Sequence, residues 1–209
     1  MTNNKAKQYA KENVTQTYDK ISNWFENHRS LELFEKPYLD SVIKLIKPKS
    51  DILDLGCGMG KPIAEYLVKK GFNLTGIDAS EKQIKRAKIN VPQMKSLCQD
   101  MRKINLNQKF DCILAWHSFF HLNKNDQREM FKVFENHIKP KGVLMFTSGT
   151  DEGEVYSDNG GELLYHASLS QEEYKDLLNK HHFHLIFLNI EDQKCGGATI
   201  WQAQYKAEN

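Results

Sequence analysis

The sequence predicts an α/β fold: a doubly wound, mostly parallel seven-stranded sheet whose last strand runs antiparallel. Three observations predict it. From residue 51 onward, short β-branched or apolar runs alternate with helix-period segments, as in the strand–helix–strand units of a parallel sheet. The first run ends in a glycine-rich turn, DLGCGMG at 54–60. The last two runs are joined by DQKCGG alone, short enough for a hairpin and so for a reversal of direction.

The elements follow in order. Residues 5–47 read as two helices without a strand, the second carrying Tyr38, Leu39, Val42, Ile43 and Ile46. These helices must pack on the sheet's rim or over its mouth, with the lysines from 36 to 49 on a solvated face and most of Trp24, Phe25 and Phe34 in the core. DILDL (51–55) is a buried strand, and KPIAEYLVKKG a helix ending at Gly71. FNLTGID (72–78) is the next strand, and Ser80 then opens a helix with Gln83 at capping-box spacing. MKSLCQ (94–99) and FDCILAW (110–116) are the third and fourth strands. NDQREMFKVFENHI (125–138) is helical, and KPKG breaks it before strand VLMFTS (143–148). Residues 149–169 read as a long connection without regular structure, the kind that often covers an active site. A helix capped by Ser170 and Glu173 precedes the final strands, 183–191 and 198–206.

Composition bounds the function. With 209 residues, 40% apolar and 27% charged, the chain reads as a single globular domain over 1–209. A formal charge of +2 offers no field for nucleic acid or a membrane surface. Cys57, Cys98, Cys112 and Cys195 show no metal-ligand spacing, and HHFH at 181–184 lacks partner cysteines and reads as structural, so no metal is expected. Scattered thiols, no signal peptide and no membrane-length apolar run predict a cytoplasmic protein, monomer or homodimer.

The glycine turn lies at the carboxyl end of the first strand, where doubly wound sheets bind ligands. Glycines there permit a sharp turn and expose backbone amides, although they also mark ordinary tight turns. The dinucleotide fingerprint fails, because its third glycine would fall at Lys61, and no phosphate-loop G-K-[ST] follows. What stands instead is Asp54, Gly56, Gly58 and Gly60, with Asp78 ending the second strand and Asp100 the third. One acid could merely cap a helix. Three at successive strand ends fit one adenosine-like ligand, with a carboxylate on the ribose hydroxyls.

These residues resemble the class I S-adenosylmethionine-dependent methyltransferases. DLGCGMG is similar to their glycine-rich motif, GIDAS to their ribose-binding strand end and QDM (99–101) to their adenine-binding turn. FDCILAWHSFFHL (110–122) and KPKGVLMFT resemble the segments of strands four and five, and the terminal hairpin fits the family's reversed seventh strand. The resemblance implies a Rossmann-like methyltransferase fold and S-adenosylmethionine as cofactor, with residues 1–47 as a helical lid over it. It further implies that Asp54 faces the methionine amino group, that Gly56, Cys57, Gly58 and Gly60 line the methionine part, and that Arg29 pairs with its carboxylate. Asp78 would hold the ribose, Ala79 and Gln83 would lie against adenine, Asp100 and the Met101 amide would reach its edge, and Trp116 would form pocket wall. Gln83 departs from the apolar residue often found there.

Methyl transfer from a sulfonium is an in-line displacement in which the protein mainly aligns the groups. A base is needed only for a protonated nucleophile, and the candidates are His117 and His121 after the fourth strand, with Tyr165 and His166 facing them. The acids of 149–169 (Asp151, Glu152, Glu154, Asp158, Glu162) favour a cationic substrate if they border the pocket, and otherwise simply solubilise the loop. WHSFF stands where amino-methylating DNA and protein-glutamine enzymes carry an Asn/Asp-Pro-Pro-aromatic motif, which disfavours that class, and no basic patch favours RNA; the expectation is a small-molecule methyl acceptor, at oxygen or nitrogen, with carbon left open. The alternative is a non-catalytic S-adenosylmethionine or S-adenosylhomocysteine binder with a regulatory or scaffold role.

Overall fold

The computed structural model describes residues 3–206. Its main sheet has seven strands: β1 (Asp51–Leu55), β2 (Asn73–Asp78), β3 (Lys95–Cys98), β4 (Phe110–Ala115), β5 (Ile138–Ser148), and, after a separate hairpin of β6 (Gly153–Asn159) and β7 (Glu162–Ser168), β8 (Phe183–Asp192) and β9 (Ala198–Tyr205). Spatial order is β3-β2-β1-β4-β5-β9-β8. The first five strands pair in parallel, and β9 lies antiparallel between β5 and β8. The winding reverses beside β1, between β1 and β4, so a crevice opens at the carboxyl end of β1.

The helices are α1 (Asn3–Glu12), α2 (Val14–His28), α3 (Lys36–Ile43), α4 (Ile63–Lys69), α5 (Glu81–Asn90), α6 (Lys124–His137) and α7 (Gln171–Lys180). Strand side chains alternate between two cores. Ile52, Leu74, Cys112, Leu114, Val143 and Met145 meet α3, α4 and α5 on one face. Leu53, Ile77, Ile113, Leu144, Phe146 and Trp201 meet α6 and α7 on the other. Covering both faces explains why residues 52–55, ILDL, read as a buried run interrupted only by Asp54. Three helix starts rest on side-chain caps: Ser80 Oγ accepts from the Gln83 amide, Asn123 from Asp126 and Ser170 from Glu173.

Four expectations need correction. The N-terminal region holds three helices, because the chain breaks at Asn13 as well as after His28. Residues 149–169 are largely the β6–β7 hairpin. Gly160 and Gly161, with φ of 62° and 84°, make a two-residue turn between the paired Asn159 and Glu162. KPKG does not precede the fifth strand but interrupts its register inside it: Phe110 pairs with Ile138 and Cys112 with Val143. Trp24 and Phe25 are only partly buried and Phe34 is 48% exposed, so these aromatics flank the core rather than enter it.

α1 and α2 lie across the carboxyl end of the sheet and against the hairpin. Lys11 on α1 pairs with Glu154 on β6 at 2.7 Å, and Lys20 on α2 with Glu162 on β7 at 3.3 Å. Gly160 at the hairpin tip is held glycine by Trp24 of α2, whose Cγ stands 2.8 Å from where a Cβ would be. No helix among the described residues is long and apolar enough to cross a membrane.

Candidate active site

A cavity opens at the carboxyl ends of β1, β2 and β4, roofed by α1 and α2. Each predicted cofactor residue borders it: Arg29, Asp54, Gly56, Cys57, Gly58, Gly60, Asp78, Ala79, Gln83, Asp100, Met101 and Trp116. The glycines play different parts. All three have positive φ, 78° at Gly56, 52° at Gly58 and 80° at Gly60. A Cβ on Gly56 would lie 2.2 Å from Ser118 Cβ, and one on Gly60 2.9 Å from Val91 Cγ2. Those two are therefore fixed by the protein's own packing, although the sequence reading assigned all three to the ligand. Only at Gly58 would a Cβ enter open space.

Charge collects below the loop. Asp54 is 4% exposed, on the β1 face opposite Leu53 and Leu55. Burial, and then the neighbouring Asp78, push its pKa up to about 7, with Arg29 pulling the other way. Asp78 braces the turn: its Oδ2 accepts from the Gly58 amide at 2.9 Å and its Oδ1 from the Ser80 amide at 2.8 Å. Burial raises it to about 6 despite those two bonds. Arg29, just past α2, donates through Nε to the Lys61 carbonyl at 3.2 Å and stands 3.9 Å from Glu35. The Cys57 thiol, pushed well up by burial and then by Asp54, stays protonated.

At the far end, Asp100 is already engaged. Its carboxylate takes Nε and Nη2 of Arg102 at 2.9 and 2.5 Å, and Arg102 reaches on to Asp126 at 2.6 Å. Burial alone would raise Asp100, but these bonds outweigh it and hold it below the ordinary carboxylate range. Gln83 is 2% exposed, and neither its carboxamide oxygen nor its nitrogen has a hydrogen-bond partner among the described residues. The Trp116 indole N–H is likewise buried and without a partner among the described residues.

The four predicted acid–base residues divide. His117, in a left-handed conformation (φ 48°), borders the cavity with its backbone amide bonded to Thr147 Oγ1. Burial, with Arg29 and His166 nearby, lowers its pKa to about 4. His121 has no free nitrogen: Nδ1 lies 2.8 Å from the Tyr165 carbonyl and Nε2 2.8 Å from the Tyr18 hydroxyl. Burial first, then His166, lowers it to about 3. It is thus a tethered neutral imidazole rather than an open base. Tyr165 and His166 do not border the cavity, because β7 turns them into the hairpin. The Tyr165 hydroxyl donates to Glu154, while His166 bonds Ser157 and stacks on Phe120.

The acids of 149–169 also point away from the cavity. Glu152, Glu154 and Glu162 pair with Lys124, Lys11 and Lys20, which removes the argument for a cationic substrate. His181 pairs with Glu135 at 2.9 Å, and no group of three or more His, Cys, Asp or Glu among the described residues suits a metal ion. Tyr18 escaped the sequence reading. Its signal was the α2 stripe Val14, Tyr18, Ile21, Phe25, at helical spacing.

Comparison with known proteins agrees with this architecture. Residues 52–142 match the family described as a methyltransferase domain. YqeM of Bacillus subtilis (strain 168), a methyltransferase by name, is 38% identical over 119 residues, 53% of this chain and 48% of that protein. A ubiquinone biosynthesis O-methyltransferase of Coxiella burnetii (strain Dugway 5J108-111) is 31% identical over 147 residues, 66% of this chain and 62% of that protein. The chain thus spans about half to three-fifths of the length of these relatives. The crystal structure of magnesium protoporphyrin IX methyltransferase from Synechocystis PCC 6803, with bound S-adenosylmethionine, shares the fold at a TM-score of 0.73 and 15% identity, covering 94% of this chain and 97% of that one. By sequence through its glycine loop and first four strands, and by topology beyond them, the chain is similar to the class I S-adenosylmethionine-dependent methyltransferases.

Proposed function

We propose that the chain transfers a methyl group from S-adenosylmethionine to an oxygen or nitrogen of a small-molecule acceptor. One observation carries the reading. The cavity collects buried polar groups that the protein leaves unsatisfied, the Gln83 carboxamide and the Trp116 N–H, beside the strand-end acids and the open face of Gly58. An unpaired buried polar group costs about 1–3 kcal/mol, so such a set is explained by a polar ligand that completes it.

The residues present fit that cofactor. Asp54 and Arg29 would take its ammonium and carboxylate, and its amino-acid part would lie against the open face of Gly58, since the Gly56 and Cys57 amides already donate to the Ile77 carbonyl and the Gly58 amide to Asp78. Asp78 has lone pairs beyond its two amide bonds for the ribose hydroxyls. Ala79 and Gln83 would lie against adenine, with Met101 and Asp100 at its edge, and Asp100 would serve while held by Arg102. When bound, the cofactor supplies an electrophilic methyl group. The chain's part is to orient, to exclude water beneath α1 and α2, and to accept a proton where the acceptor carries one. His117 is the candidate for that last task, since it borders the cavity and its ring has no hydrogen bond among the described residues. The relatives' names support the acceptor class, one of them being an O-methyltransferase.

Calorimetric titration with S-adenosylmethionine, S-adenosylhomocysteine and NAD tests the reading. Binding of both adenosyl ligands, lost in Asp78→Ala, with labelled methyl then appearing on small phenols or amines, is expected. Preference for NAD, or no adenosyl binding, would overturn it.

A further inference from the structure

Tyr18 and His121 form a hydrogen-bond chain with only one possible direction. The Tyr165 carbonyl can only accept, so His121 Nδ1, 2.8 Å away, must carry the ring proton. Nε2 of the neutral ring is then an acceptor, and the Tyr18 hydroxyl 2.8 Å from it must be the donor. Low basicity of His121, caused chiefly by burial, keeps the ring in this neutral form, and burial with Asp78 nearby keeps Tyr18 protonated. The hydroxyl's one hydrogen is therefore spent on the wall behind it. What Tyr18 presents to the cavity is oxygen lone pairs alone.

The position gives that asymmetry meaning. Tyr18 enters from α2 and borders the same cavity as Asp78 and Arg29, both of which act on its hydroxyl electrostatically. Its ring is packed edge-on against Phe25 and His121, with centroids at 5.5 and 5.3 Å, which limits its swing. Asp78 is an acceptor too, and Arg29 is a donor.

Resting on the function proposed above, we propose that Tyr18 is a specificity residue of the cofactor site, an acceptor-only wall that favours the positively charged methyl-sulfonium ligand over its neutral demethylated product, and that His121 is the positioning residue that fixes the polarity of the hydroxyl. Such a wall helps the protein shed its product, because the ligand loses its positive charge when it loses the methyl group.

Paired titrations with S-adenosylmethionine and S-adenosylhomocysteine on the unaltered chain, Tyr18→Phe and His121→Leu test it, with thermal melting to check folding. Both variants are expected to lower the affinity ratio of methylated to demethylated ligand by about three- to tenfold. In Tyr18→Phe the acceptor is gone. In His121→Leu the hydroxyl is present but free to donate into the cavity. A folded variant pair that weakens both ligands equally, or changes neither, would overturn the inference while leaving the cofactor assignment standing. Failure of the unaltered chain to bind either ligand would overturn that assignment, and the inference with it.

Discussion

At the scale of single residues, close contact and buried charge make separate predictions. Gly56→Ala places a methyl group 2.2 Å from Ser118 Cβ in a left-handed turn, so it should cost roughly 2–4 kcal/mol of stability by denaturant unfolding. Gly58→Ala meets nothing and should cost only the about 1 kcal/mol of its conformation, while weakening adenosyl ligands by calorimetry. Asp54, raised to about 7 by burial, holds its proton in the folded ligand-free chain where an unfolded chain would release it. That contribution is complete below pH ~4 and is lost as pH rises through about 7. Asp54→Asn should therefore raise the melting temperature at pH 8 relative to the parent and have little effect at pH 4. The loop and its acids were legible in the sequence because they are contiguous with strand ends. Tyr18 was not, since its link to His121 spans 103 residues and depends on how α2 lies. Nor did sequence distinguish the glycines required by Ser118 and Val91 from the one facing open space, because those neighbours are brought there by folding.

At the scale of elements, the β6–β7 hairpin acts as an anchor for the N-terminal helices. Exposed pairs such as Lys11–Glu154 and Lys20–Glu162 each contribute about 0–1 kcal/mol, so they hold α1 and α2 weakly. Gly160→Val drives a branched side chain into Trp24 and should speed amide exchange across Asn3–His28 while leaving β1 and β4 protected, as hydrogen-exchange mass spectrometry would show. The hairpin's signal was present in the sequence as Asn159-Gly160-Gly161. It was obscured by the acids around it, two of which, Glu154 and Glu162, have lysine partners on helices more than a hundred residues earlier. The site-bearing elements were clearer: both faces of the sheet are covered, so each strand stands out as a compact apolar run between helix patterns.

At the scale of the whole molecule, the antiparallel β9 joins the part that carries the cavity to the sheet's far edge. Trp201 stacks on Phe146 with ring centroids 5.6 Å apart, and its indole donates to Ser148 Oγ at 2.9 Å. Trp201→Ala should cost about 3–5 kcal/mol, read as a lower denaturant midpoint for the entire chain. β9 follows in sequence both of the strands it separates, β5 and β8. During synthesis, everything from the glycine loop to β5 is therefore out of the ribosome before its neighbour exists. Until residues 198–205 arrive, β5 offers a bare apolar edge that other nascent chains can capture. Rapid insertion of this late strand, or a chaperone that shields β5 meanwhile, thus decides how much newly made chain reaches the native state.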